Sequence, residues 1–102
     1  MFDSARKLAD QGLLQDGLQL CKELLRRNAL HVQGHFLMAL ICLALNDNRG
    51  AADCFNKAAY LDPGNDEALD YLAMIAEQDG DWSGAAQLRQ RAQRIRAREN
   101  QG

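Results

Sequence analysis

The chain has 102 residues, 47% of them hydrophobic, which is enough for one domain of ordinary size and too little for two independent cores. Its 12 basic side chains stand against 14 acidic ones, and the formal net charge of -2 excludes a general attraction to nucleic acid or anionic lipid. Val32, Ile41, Ile75 and Ile95 are the only β-branched residues, so an all-α chain is expected.

Taken in order, the first helix is expected over 3–11, with Gly12 free to adopt the left-handed conformation that ends it. The second spans 14–27, and Leu13 before it offers no side-chain cap. The third covers 31–45 and closes at Asn46, after which Asp47 caps a fourth helix over 48–61. Pro63 is the single proline, and its ring disfavours helical geometry at Asp62, so the fourth helix stops near Leu61. Asn65 caps the fifth helix, 65–78, whose first turn carries Asp66 and Glu67 where the macrodipole favours negative charge. Gly80 closes it, Asp81 caps the sixth helix over 82–98, and Ala85, Leu88, Ala92 and Ile95 mark the buried stripe of that last helix.

The chain repeats with a period of 34 residues. Ala5, Ala39 and Ala73 superpose, as do Gly17, Ala51 and Ala85, and small side chains at fixed places let paired helices approach closely. Gly12, Asn46 and Gly80 coincide as helix ends, followed by Leu13, Asp47 and Asp81. The middle copy carries Met38-Ala39, Ala51, Phe55 and Pro63 at the spacings of a tetratricopeptide repeat (TPR), and the chain resembles that family. It departs from the pattern at His35, where tryptophan is usual, at Cys42, where tyrosine is usual, and at Arg89 and Ala97 in the third copy. The resemblance implies a TPR-type α-α superhelix of three helix hairpins. One TPR domain is expected over 1–102, with repeats over about 1–31, 32–65 and 66–99.

Chemistry-bearing constellations are sparse. His31 and His35 in "HVQGH" are four apart, but the glutamate of H-E-x-x-H is missing and no third ligand is indicated, so both are assigned structural roles and no metal is expected. Ser4 and Ser83 lie in helix-starting or turn contexts without G-x-S-x-G surroundings. "DQGLLQDG" and "DPGN" are neither dinucleotide fingerprints nor phosphate loops, because the repeat accounts for their glycines as helix ends and turns. No catalytic residue and no cofactor is expected. Cys21, Cys42 and Cys54 are odd in number and lack C-x-x-C spacing, and they read as small apolar residues of the interior.

The longest apolar run, "FLMALICLAL" at 36–45, is about half of the roughly 20 residues a membrane span requires. No membrane insertion is expected, and without a secretion signal the expected location is the cytoplasm. Seven acids lie between 62 and 81 with no base among them, while Arg89, Arg91, Arg94, Arg96 and Arg98 crowd the last helix. Only Arg91, Arg94 and Arg98 share a face, so this helix reads as solvated rather than as a nucleic-acid stripe.

Stacked hairpins curve, and the first helix of each lines the concave side, so a protein or peptide partner is expected there. The middle repeat offers Gln33, Phe36, Leu37, Leu40 and Leu43, the third Glu67, Asp70, Tyr71, Met74 and Gln78, and the first Arg6 and Asp10. Phe36 and Leu40 have two readings, buried core or groove floor, and so do Tyr71 and Met74. The TPR groove that clamps acidic chaperone tails uses lysine, arginine and asparagine at these places, and only Arg6 offers a matching charge.

Beyond the generic pattern, "ARKLADQGLLQDGLQLCKELL", "FNKAAYLDPGNDEALDYLAMIAEQDGDWSGAAQLRQRAQR" and the arginine-rich ending resemble the carboxy-terminal TPR module of bacterial CheR-type chemoreceptor methyltransferases. In that family a separate catalytic domain transfers methyl from S-adenosylmethionine to receptor glutamates, and the repeats make protein contacts. The resemblance implies a non-catalytic recruiting or regulatory module. The alternative is a TPR adaptor or self-associating scaffold, a homodimer for instance, since repeats of secretion chaperones and pilus-assembly proteins share much of this wording.

Overall fold

In the computed structural model, which describes residues 1–101, the chain forms six helices and no strand among the described residues: α1 (Phe2–Asp10), α2 (Leu14–Arg27), α3 (Val32–Ala44), α4 (Asn48–Leu61), α5 (Asp66–Gln78) and α6 (Trp82–Gln101). They pair as three antiparallel hairpins, α1 with α2, α3 with α4 and α5 with α6, which stack in chain order as a TPR-type superhelix. The expected boundaries hold to within a residue or so except at the last helix, which runs three residues past its expected end at 98.

The three intra-hairpin turns are the same turn. Gly12, Asn46 and Gly80 have φ of 79°, 62° and 81°, the left-handed region in which a side chain without an extra Cβ clash, or a short polar one, is tolerated. Each lets the next amide fold back onto the helix it has just left: Leu13 N donates to Leu8 O, Asp47 N to Cys42 O and Asp81 N to Ala76 O, at 2.8–2.9 Å. Those acceptors are themselves 34 residues apart, so the repeat is one of backbone geometry as well as of residue type. Asp47 and Asp81 then accept from Gly50 N and Gly84 N at 2.9 Å, whereas Leu13 leaves α2 without a side-chain cap.

The turns between hairpins also match, by different chemistry. Asp62, held out of the helical region by Pro63, has φ -132° and ψ 87°. Asn28 takes nearly the same angles, -139° and 87°, with no proline after it. There the Asn28 side chain accepts from Leu30 N at 3.2 Å, an Asx-type turn in place of the ring. His31 and Asn65 cap the helices that follow, accepting from Gly34 N at 2.9 Å and from Ala68 N at 3.1 Å.

Packing follows the small-residue register. Ala5, Ala39, Ala51, Ala73 and Ala85 are buried, and Gly17 sits so close to α1 that an added Cβ would lie 3.4 Å from Ala5 O and 3.3 Å from the Ile41 side chain. Between repeats the knob is Phe55 of α4, fully buried. Tyr71 stacks on it at 4.7 Å with the rings 4° from parallel, and Phe36 meets both edge-on at 5.4 and 5.9 Å, an arrangement that adds about 0.5–1.5 kcal/mol per pair beyond area burial. In the first repeat Cys21 and Leu37 occupy the corresponding places of Phe55 and Tyr71, so the smaller knob joins the same two surfaces.

The last helix corrects one expectation. Arg89 and Arg96 are not simply solvated: Arg89 pairs with Glu77, and Arg96 grips Asp70 and also Asp66, the latter at 2.8 Å. Two of the five arginines therefore fasten α6 to α5, while Arg91, Arg94 and Arg98 stay exposed and keep the end of the stack polar.

The common left-handed turn gives a direct test. Gly80→Val forces a β-branched side chain into that conformation and is expected to cost about 1–2 kcal/mol. Asn46→Gly, which relieves the same conformation, is expected to lie within about 0.5 kcal/mol of the parent. Urea denaturation monitored by circular dichroism measures both.

A candidate partner-binding groove

The concave side is built from α1, α3 and α5, the first helix of each hairpin. A hollow of about 520 Å³ opens between them, and it brings together Arg6 from α1 with Gln33, Phe36, Leu37 and Leu40 from α3. Asp70, Tyr71 and Met74 fall instead in a neighbouring hollow of about 400 Å³ on α5, with Arg89 beside them. Glu67 borders both, so the eight predicted residues share one side of the molecule but divide between two depressions.

Their environments separate the readings that sequence left open. Phe36 and Leu40 are half-buried, each packed on the core and open to the hollow, so they are core and floor at once. Leu37 is only 9% exposed and packs with Ala5, Cys21 and Ile41, presenting no more than an edge to the groove. Leu43 is packed against the core and lines neither hollow. Tyr71 is committed to its stack on Phe55, and the Asp70 carboxylate to Arg96. Met74 is half-buried beside them, an adaptable surface of the kind that tolerates varied apolar contacts.

Four wall residues escaped the sequence reading: Phe2, Val32, Asp62 and Asn65. Phe2 was findable, because it lies 34 residues before Phe36 and the repeat register assigns it the same place. Asp62 and Asn65 belong to the turn between α4 and α5, and nothing in their residue type tells that this turn overhangs the hollow.

The rim is charged unevenly. Asp10, Asp62 and Glu67 surround the apolar floor, and none makes a side-chain ion pair or hydrogen bond among the described residues; Arg6 is likewise unpaired. The histidines near the groove are spent on backbone. His31 accepts from Gly34 N through Nδ1 and lies 5.4 Å from the Phe2 ring, and His35 bonds Ala29 O through Nε2 at 2.8 Å. Among the described residues no group of three or more His, Cys, Asp or Glu side chains is placed to hold a metal ion.

Comparison with known proteins adds ancestry to this geometry. No protein-family model matches the chain. It is 32% identical over 93 residues to the probable biofilm formation methyltransferase WspC of Pseudomonas aeruginosa, and 31% identical over 88 residues to WspC of Pseudomonas putida. These matches take in 91% and 86% of this chain but only 22% and 21% of those proteins, so the chain spans about a fifth of their length. Among solved structures, MamA superposes with a TM-score of 0.94 at 12% identity, covering 96% of this chain and 57% of that one. The Yersinia enterocolitica type III secretion translocator chaperone SycD superposes at 0.87 and 15% identity, covering 92% and 65%. The chain is thus homologous to a segment of WspC, and its fold is the TPR-like helical superhelix.

Behind the groove the three cysteines lie in mutual range where α2, α3 and α4 meet. Burial first, and then the neighbouring Cys42 sulfur, push Cys21 from its ordinary 9.0 to about 11 and Cys54 to about 12; Cys42 is also raised, chiefly by burial. All three therefore remain protonated at neutral pH and are poor nucleophiles. Because the folded values lie above the unfolded ones, the unfolded chain gives up thiol protons first as pH climbs. Stability from this source is complete below about pH 9 and is lost toward pH 11–12. A disulfide-exchange reagent at pH 7.5 is expected to label the native thiols slowly and all three at once on unfolding, and Cys21→Ala is expected to shrink the loss of thermal midpoint between pH 8 and 10.5.

Proposed function

We propose that the chain is the non-catalytic, protein-binding TPR module of a CheR-type protein-glutamate O-methyltransferase, working in the cytoplasm as part of bacterial chemosensory signalling. The observation that carries this is the lopsided homology: 91% of this chain against 22% of a methyltransferase. One folded unit of three repeats accounts for the matched segment, and this reading assigns methyl transfer to the rest of such a protein.

The module's contribution is address rather than chemistry. Its concave side presents a half-buried apolar floor at Phe36 and Leu40, and such a surface gains free energy when a partner excludes water from it. Arg6 and Gln33 stand at the margin, where polar groups fix orientation more than strength. Met74 and Tyr71 extend the contact across α5. Holding a receptor or scaffold here raises the effective concentration of a tethered catalytic domain at its substrate, a gain set by the linker and not by any change at the reacting atoms.

The groove assignment is tested by capture with the immobilised chain from cells of the source organism. A chemosensory protein retained by the parent is expected to be lost with Phe36→Gln and with Leu40→Gln, each variant keeping its helical circular dichroism. Retention of the same protein by both variants contradicts the groove as its site.

A further inference from the structure

We infer that the groove takes a cationic amphipathic segment of its partner protein, one with bulky apolar side chains along one face and lysine or arginine flanking them. This rests on the groove being the partner site, and adds the chemistry that the site selects.

The inference comes from which charges on the concave side are already spent. On α5, Asp66 and Asp70 are held by Arg96 and Glu77 by Arg89. Of the acids that line the two hollows, Asp10, Asp62 and Glu67 are the ones without a side-chain partner among the described residues, and all three border the hollow whose floor is apolar. Against them stands a single guanidinium, Arg6. An acidic segment laid on Phe36 and Leu40 meets three carboxylates for one favourable charge. A basic one meets the reverse, at the edge of an apolar surface where the local dielectric strengthens each pair relative to bulk water.

A second copy of this chain is the obvious rival, since Arg91, Arg94 and Arg98 of α6 are exposed. Yet the last turns of that helix cannot fill the floor. After Ile95, which packs on the core, it reads Arg-Ala-Arg-Glu-Asn-Gln over 96–101 and has no bulky apolar side chain to offer.

The test uses two synthetic amphipathic peptides with one leucine and phenylalanine pattern, lysine filling the polar positions of the first and glutamate those of the second. Fluorescence anisotropy gives affinity and amide chemical shifts give location. The lysine peptide is expected to bind about tenfold or more tighter at low salt, to shift the amides of Phe36 and Leu40, and to lose much of that advantage at high salt. Asp10→Lys combined with Glu67→Lys, both exposed positions, is expected to abolish or invert the preference. Equal or stronger binding of the glutamate peptide with the same groove shifts overturns the charge assignment and leaves the groove standing. Binding of either peptide without groove shifts, or of neither, overturns both. A concentration-dependent dimer that blocks the groove and dissolves on Arg94→Glu with Arg98→Glu makes a second copy the occupant and overturns the inference.

Discussion

The structure depends on covering one helix. α3 has no polar face: Val32, Phe36, Leu37, Met38, Leu40, Ile41 and Leu43 distribute apolar surface around its whole circumference. No single partner can bury such a cylinder, because one contacting helix shields only one side. Here α4 covers it within its own hairpin, α1 and α2 cover it from the first, and the aromatic contact of Phe36 with Phe55 and Tyr71 ties it to the third. What remains uncovered is a strip at Phe36 and Leu40, and that strip is the floor of the groove. Fold and candidate site are two consequences of the same imbalance.

That dependence explains the graded quality of the repeats. The middle copy must satisfy neighbours on both sides and keeps the fullest pattern, including the aromatic knob and the proline. The first copy makes do with Cys21 as its knob, and with an Asn28 side-chain bond where the proline would stand. At the third, Arg89 occupies the knob position and is turned back onto Glu77 of its own hairpin.

Much of this was legible without coordinates, and for a common reason. Helix ends are local: left-handed φ, proline rings and capping side chains act within a few residues, so Gly12, Asn46, Gly80, Asp47, Asp81 and Pro63 located the hairpins. The status of Phe36 and Leu40 was not local. An all-apolar helix carries no internal sign of which side its neighbours leave open, and only the placement of α1 and α5 decides it. The pairing of α6 with α5 lay between these extremes. Arg89 and Arg96 are seven apart, two helical turns, as are Asp70 and Glu77 across from them, but a reading that looked for one stripe of arginines found only Arg91, Arg94 and Arg98. Nor did spacing reveal that three cysteines from three helices, Cys21 and Cys42 buried and Cys54 half-buried where all three were expected inside, share one corner of the fold.

Native-state amide hydrogen exchange probes the central claim most directly, because it reads the free energy needed to open each helix separately. If α3 is held from both sides, its amides and those of the facing turns of α4 exchange only through the largest opening, matching global unfolding by denaturant, while α1 and the last turns of α6 open at lower cost. Exchange of α3 through an opening smaller than that of α1 or α6 would contradict the account, since the helix on which everything else leans would then be the one least firmly held.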